Sequence, residues 1–210
     1  MPDARAVAEV LGALSYGERL AQHRAEENVA LAPDGRTQQF QRQVAARERD
    51  NAALIEARVR EMGVEGLAEP FRRFFDAFFE RTVPTDWLEA QTFHYVGDAL
   101  MSEFGDVLIP SLDPVSAVVI RQLSDRADQE SFALDEITRG TGDDPAAAER
   151  VAAYARRVIG EALTQTRRAL DETEAIRTLL GGEEGEKRML LDLLQRHRAR
   201  LDRMGIEAVE

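Results

Sequence analysis

The sequence predicts an all-α protein built as a bundle of long helices. Three observations predict it. Apolar residues recur at helical three/four spacing through most of the chain, the helix breakers are few and widely spaced, and no stretch shows sustained strand alternation or an Asn-Gly hairpin turn. The balance of 44% hydrophobic and 31% charged residues is that of a globular domain.

The elements follow from the breakers. A first helix runs to Pro33-Asp34-Gly35, and a second starts near Arg36 and ends at Gly63. The segment Leu67 to Arg81 carries the aromatic run FRRFFDAFFERT and predicts a further short helix that crosses over the bundle. Pro84-Thr85-Asp86 opens the third long helix, with Thr85 or Asp86 as its cap. In PSLDP, Asp113 caps a fourth helix and Pro114 takes its first position. GTGDDP repeats that device before a fifth helix running to about Leu180, and Gly181-Gly182 precedes a short sixth that stops at Gly205. Long helices with short loops and one longer crossover define a bundle. The chain thus reads as one helical domain over 1–210, with a core bundle over 4–140 and additional helices over 145–204.

Composition excludes several function classes. A net charge of −12, with arginines interleaved among acids, argues against a nucleic-acid backbone as partner. No run of about 18 apolar residues exists to span a bilayer. The opening MPDARAVAEVLG lacks the pattern of a secretory leader, and no cysteine is present, which fits the cytoplasm and excludes thiolate chemistry. Walker A, dinucleotide-binding glycine, GxSxG and HExxH motifs are all missing.

Charged residues interrupt the apolar stripes. Glu18 falls on the stripe of Val7, Leu11, Leu14, Ala21 and Ala25; Glu48 and Asn51 lie between Val44 and Ile55. His94 and Asp98 stand one turn apart on the third helix, in line with Trp87 and Met101. On the fourth, Ile120, Leu123, Ala127, Leu134 and Ile137 form the stripe, Arg126 and Glu130 point near its centre, and Gln129 lies at its edge. A buried carboxylate needs a partner or a proton. Polar groups at mid-length on four helices therefore predict a shared polar site. A di-metal carboxylate centre has this form: one carboxylate from each of two helices, and a Glu-x-x-His pair from each of the other two. The alternative for any one position is a partly exposed residue at the edge of an apolar face.

Tyr16-Gly17-Glu18, the alanine-rich turn before Glu48, the segments PTDWLE (84–89) and YVGD (95–98), and VIGEAL (158–163) resemble bacterial ferritin-like proteins similar to the tRNA-modifying diiron hydroxylases. The resemblance covers about residues 10 to 180 and implies a ferritin-like four-helix bundle with extra C-terminal helices. It places metal ligands at Glu18, at Glu48 with the position three residues later, at Asp98, and at a matching pair on the fourth helix. The sequence departs from that pattern there. The position after Glu48 is Asn51, and the fourth-helix pair is either Arg126 and Gln129 or Asp125 and Asp128, without histidine in either register. Diiron sites of this class lean on imidazole, whereas an all-oxygen site suits Mg²⁺, Ca²⁺ or Mn²⁺. Arg126, if it faces inward, brings a permanent charge and five donors to the carboxylates in place of metal.

Other features have plain alternatives. His94 with Asp98 reads as a hydrogen-bonded core pair or as a ligand or base pair. His23 reads as surface, and His197 as a helix C-terminal residue favoured by the dipole. Glu161 reaches either the polar core or a surface salt bridge. The run Phe71, Phe74, Phe75, Phe78 and Phe79 has helical spacing and reads as core or dimer contact. Three functional readings result: a ferritin-like protein with a degenerate dimetal site, no cofactor and a structural or binding role; a diiron-type or other dimetal hydroxylase or oxidoreductase; and, least supported, an iron-storage protein. A cytoplasmic homodimer is expected, with the small-molecule substrate unspecified.

Overall fold

The computed structural model describes residues 2–64 and 68–206. Helices α1 (Ala4–Asn28) and α2 (Gly35–Glu61) pack along their whole length. The chain reverses between them through a tight turn whose Asp34 accepts from the Thr37 amide at 2.8 Å, forming a reciprocal cap. Gly63, at φ 68°, follows the end of α2 in the left-handed region that a side chain would disfavour. Helix α3 (Glu69–Arg81) carries the aromatic run and lies across α1 and α8. The predicted start of that segment, Leu67, lies outside the described residues.

The third bundle helix comprises α4 (Trp87–Thr92), a π turn over Phe93–Gly97, and α5 (Asp98–Leu108). Asp86, not Thr85, caps it, accepting from the Glu89 amide. The π turn was not foreseen. The Asp98 amide reaches back five residues to the Phe93 carbonyl, which adds a residue to one turn and re-aims the side chains after it.

Two helices expected as continuous are broken. The fourth bundle helix divides into α6 (Pro114–Leu123) and α7 (Ala127–Thr141), and the fifth into α8 (Pro145–Glu172) and α9 (Ala175–Leu180). At the first break the Ser124 hydroxyl donates to Asp106 at 2.7 Å, and Arg126 leaves helical geometry at φ −121°, ψ 15°. Ala127 faces outward to the surface here and Arg126 inward. The last helix, α10 (Glu183–Arg203), is long rather than short and packs on α5, α8 and α9.

The bundle is thus α1, α2, α4–α5 and α6–α7, buttressed by α3, α8 and α10. Its two largest apolar clusters fill most of it, and a smaller one gathers Ala25, Val44 and Ala45. Of the larger pair, one gathers Val10, Leu14, Ile55, Phe71, Ile120 and Leu193; the other gathers Phe78, Phe93, Val96, Ile137, Tyr154 and Val158. Phe71, Phe74, Phe78 and Phe79 are buried in these clusters, so the aromatic run is core. Among the described residues no helix is long and apolar enough to cross a membrane.

Candidate functional site

A connected set of buried polar side chains sits in the bundle, and each of its four helices contributes. Glu18 on α1, Glu48 on α2, Asp98 on α5 and Arg126 before α7 are all at most 4% exposed. The break between α6 and α7 delivers Arg126: its Nη1 donates to Glu48 Oε1 at 2.6 Å and its Nη2 to Glu18 Oε1 at 2.7 Å. One guanidinium therefore spans the two carboxyls as a planar fork. Asn51 Nδ2 donates to the other Glu18 oxygen at 3.1 Å.

Beside this triad lies a second group. His94 Nδ1 and Asp98 Oδ2 are 2.6 Å apart, and Gln129 Nε2 donates to the same oxygen at 2.7 Å. Gln41 Nε2 meets His94 Nε2 at 2.7 Å, and Gln91 donates to Gln41 at 3.5 Å. Gln129 Nε2 also lies 3.3 Å from His94 Nδ1. Arg47 donates to the Gln129 amide oxygen. Both imidazole nitrogens are thereby occupied by protein.

Electrostatics divides the two glutamates. Burial pushes Glu18 well above its ordinary range, against the pull of Arg126, and the nearby Glu48 carboxyl raises it further. Burial acts on Glu48 in the same direction, but the Arg126 charge and hydrogen bonds from Glu18 and Arg126 bring it down to about 2. Glu48 Oε2 is buried and has no hydrogen-bond partner among the described residues. Burial opposes the charge on Arg126, yet Glu18, Glu48 and Asp98 hold its guanidinium above its already high value. The triad thus sets one guanidinium against two carboxyl groups that burial and charge drive in opposite directions, Glu18 up and Glu48 down.

Glu18, Glu48 and Asp98 are brought inside the bundle together with Asn51, His94, Arg126 and Gln129. The fourth-helix register is Arg126/Gln129. Asp125 and Asp128 are exposed to solvent, and Gln129 is central rather than at the edge. Glu130, expected near the centre, is half-buried and pairs with Arg200 on α10 at 3.1 Å. Glu161 pairs with Arg81 at 2.9 Å and accepts from Gln165, so it belongs to the surface. His23 is exposed and faces Glu27. His197 departs from its dipole reading: it is buried, its ring nitrogens have no hydrogen-bond partner among the described residues, and burial with the nearby Arg200 charge lowers it to about 4.

Gln41, Gln91 and Arg47 were missed. The first two carried a signal, since each lies seven residues before a site carboxylate on its own helix, Gln41 before Glu48 and Gln91 before Asp98. Neutral amides on an apolar face attract less notice than charges.

The donor set does not fit a pair of iron ions. Positions 48/51 and 126/129 have the i,i+3 spacing of two carboxylate–imidazole pairs, but hold Glu/Asn and Arg/Gln. A guanidinium has no lone pair to give, and its charge lies between the two carboxylates that a cation would need. Among the described residues no group of three or more His, Asp or Glu side chains converges as a metal site.

The arrangement of four helices around a central polar set defines a ferritin-like protein. The chain belongs to the family described as ferritin-like domain, actinomycetes, whose sequence model matches residues 3–183. Among solved structures it is similar to one described as "Protein 19 with aldehyde deformylating oxidase activity" from Synechococcus. The TM-score is 0.76 at 20% identity, over 99% of this chain and 94% of that one. No curated protein matches by sequence.

Proposed function

We propose that this chain is a ferritin-like protein whose centre is held by an arginine in place of a metal pair, and that its role is structural or binding rather than oxidative. The observation that carries this reading is the Arg126 guanidinium bonded at 2.6 and 2.7 Å to Glu48 and Glu18. Those two carboxylates and Asp98 are the oxygen donors that a dimetal centre on this frame would require. Here each is already engaged by Arg126, Asn51, Gln129 or His94. The resemblance to tRNA-modifying diiron hydroxylases is, in this reading, one of frame with a changed centre. The oxidase activity in the name of the Synechococcus protein belongs to that protein, and at 20% identity the likeness extends to the fold.

The test is anaerobic titration of the purified protein with ferrous iron, followed by exposure to oxygen. We expect no stoichiometric uptake and no carboxylate-bridged diiron absorption. Uptake of two irons per chain with that spectrum would overturn the proposal in favour of a dimetal hydroxylase or oxidoreductase.

A further inference from the structure

Helix α6 has no polar face along its first two turns. Its inner positions Ala117, Val119, Ile120 and Leu123 are buried in the core. Its outward positions Val115 and Val118 are 53% and 52% exposed, and they stand one above the other on a single face. A helix that is apolar all round is ordinarily a buried one. Valine at a solvated position also serves a helix less well than alanine or a charged straight chain does.

Helix α2 extends this face. Arg58 donates to Ser116 at 3.0 Å and to Asp113 at 3.1 Å, whereas Glu48, earlier on α2, accepts from Arg126. The two elements therefore run antiparallel, and counting along the helical rise from Arg58 sets Leu54 level with Val118 and Val119. Leu54 is 37% exposed, and the exposed Ala53 beside it leaves room for another helix to approach. Leu54, Val115 and Val118 are half of the large aliphatic side chains exposed among the described residues, so the patch is a concentration and not a scatter.

Charge decides what covers it. Arg121, at one end of the outward row on α6, is exposed and has no ion pair among the described residues. On α2, Asp50 and Glu61 are 70% and 64% exposed, and each faces only an arginine of its own helix, Arg49 and Arg58. A cation on one helix and carboxylates on the other make the face its own complement. A twofold axis parallel to the two helices and midway between them lays α6 of one copy over α2 of the other at the same level. Arg121 of each copy then falls within about a turn of Asp50 of the other. The exposed pair on α10, Leu191 and Leu194, lacks this property. Lys187 and Arg196 there are paired to Glu184 and Asp192, which leaves Arg188 and Arg198 to repel their own copies.

We propose that the outer face of α2 and α6 is a homodimer interface, closed by a second copy of this chain across a twofold axis. It stands on outward faces and apart from the reading of the polar centre. Two helices side by side over about 15 Å make an interface at the small end of the specific range, so the dissociation constant should be about micromolar to tens of micromolar.

The test is sedimentation velocity of the full chain from about 1 to 100 µM, across which the wild type should pass from monomer to dimer. Val118→Glu sets a carboxylate in the middle of the apolar face and should weaken the dimer by about a hundredfold or more while keeping the wild-type circular dichroism. Arg121→Glu sets like charge against Asp50 and should weaken it by about tenfold. Leu191→Glu should leave it unchanged. A wild type that stays monomeric at the highest concentration, a dimer indifferent to Val118→Glu or to Arg121→Glu, or a dimer lost with Leu191→Glu would each overturn the proposal. Should Val118→Glu fail to fold, Val115→Glu carries the same test.

Discussion

Replacing Arg126 with leucine tests whether one side chain holds the centre together. In the wild type the guanidinium is 3% exposed and donates to Glu48 and Glu18. Leucine keeps much of the volume and removes the cation. Glu18 loses little, because burial already favours its protonated form. Glu48 loses most, because its carboxylate sits at about 2 through the Arg126 charge and bonds working against burial. Removing one partner from a buried ion pair costs about 3–5 kcal/mol. For a domain of this size, at about 2–4 °C per kcal/mol, the melting temperature should fall by about 6–20 °C. Urea unfolding at neutral pH gives the free energy directly.

The pH dependence carries a sign. Glu48 has a folded value below its ordinary 4.5, so its stabilisation is present above that value and is lost as pH falls toward about 2. The gap between wild type and Arg126→Leu should therefore narrow over that acid window. The triple variant Arg126→Leu, Glu18→Gln, Glu48→Gln removes the uncompensated charge and should recover much of the loss. A single variant within about 1 kcal/mol of wild type at neutral pH would refute the keystone reading, since surface pairs are worth that little.

His197, held near 4 by burial and the Arg200 charge, binds fewer protons folded than unfolded. Stability should be complete above about 6.5 and fall by about 3 kcal/mol as pH drops to about 4, and His197→Phe should flatten that part of the profile in pH-dependent urea unfolding. Gly185, early in α10, packs against the backbone of Leu180, and a Cβ there would collide with the Leu180 carbonyl. Gly185→Ala should lower stability by about 1–3 kcal/mol, measured by thermal unfolding. Arg24 is buried and donates to the Phe79 and Thr82 carbonyls at 2.6 and 2.9 Å where α3 ends, so Arg24→Leu should cost about 2 kcal/mol or more in urea unfolding.

The sequence by itself determined the helical class and most helix boundaries. Asp34, Asp86, Asp113 and Asp144 cap helices through their own neighbouring amides, and such contacts span only a few residues. It also placed Glu18, Glu48 and Asp98 on inward faces, because apolar periodicity alone fixes which side of a helix is buried. The tertiary structure alone decided what those faces meet. At the break over Ser124–Arg126, Ser124 bonds Asp106, 18 residues earlier, and Ala127 leaves the inner face that its stripe predicted while Arg126 stays there. The π turn over Phe93–Gly97 is equally invisible to a regular helical period. Glu130 and Glu161 occupy plausible inward positions on their own helices, yet Arg200 and Arg81 draw them elsewhere. A carboxylate near the edge of a helix takes whichever cation the packing brings within reach. That choice belongs to residues distant in the chain, and no local pattern contains it.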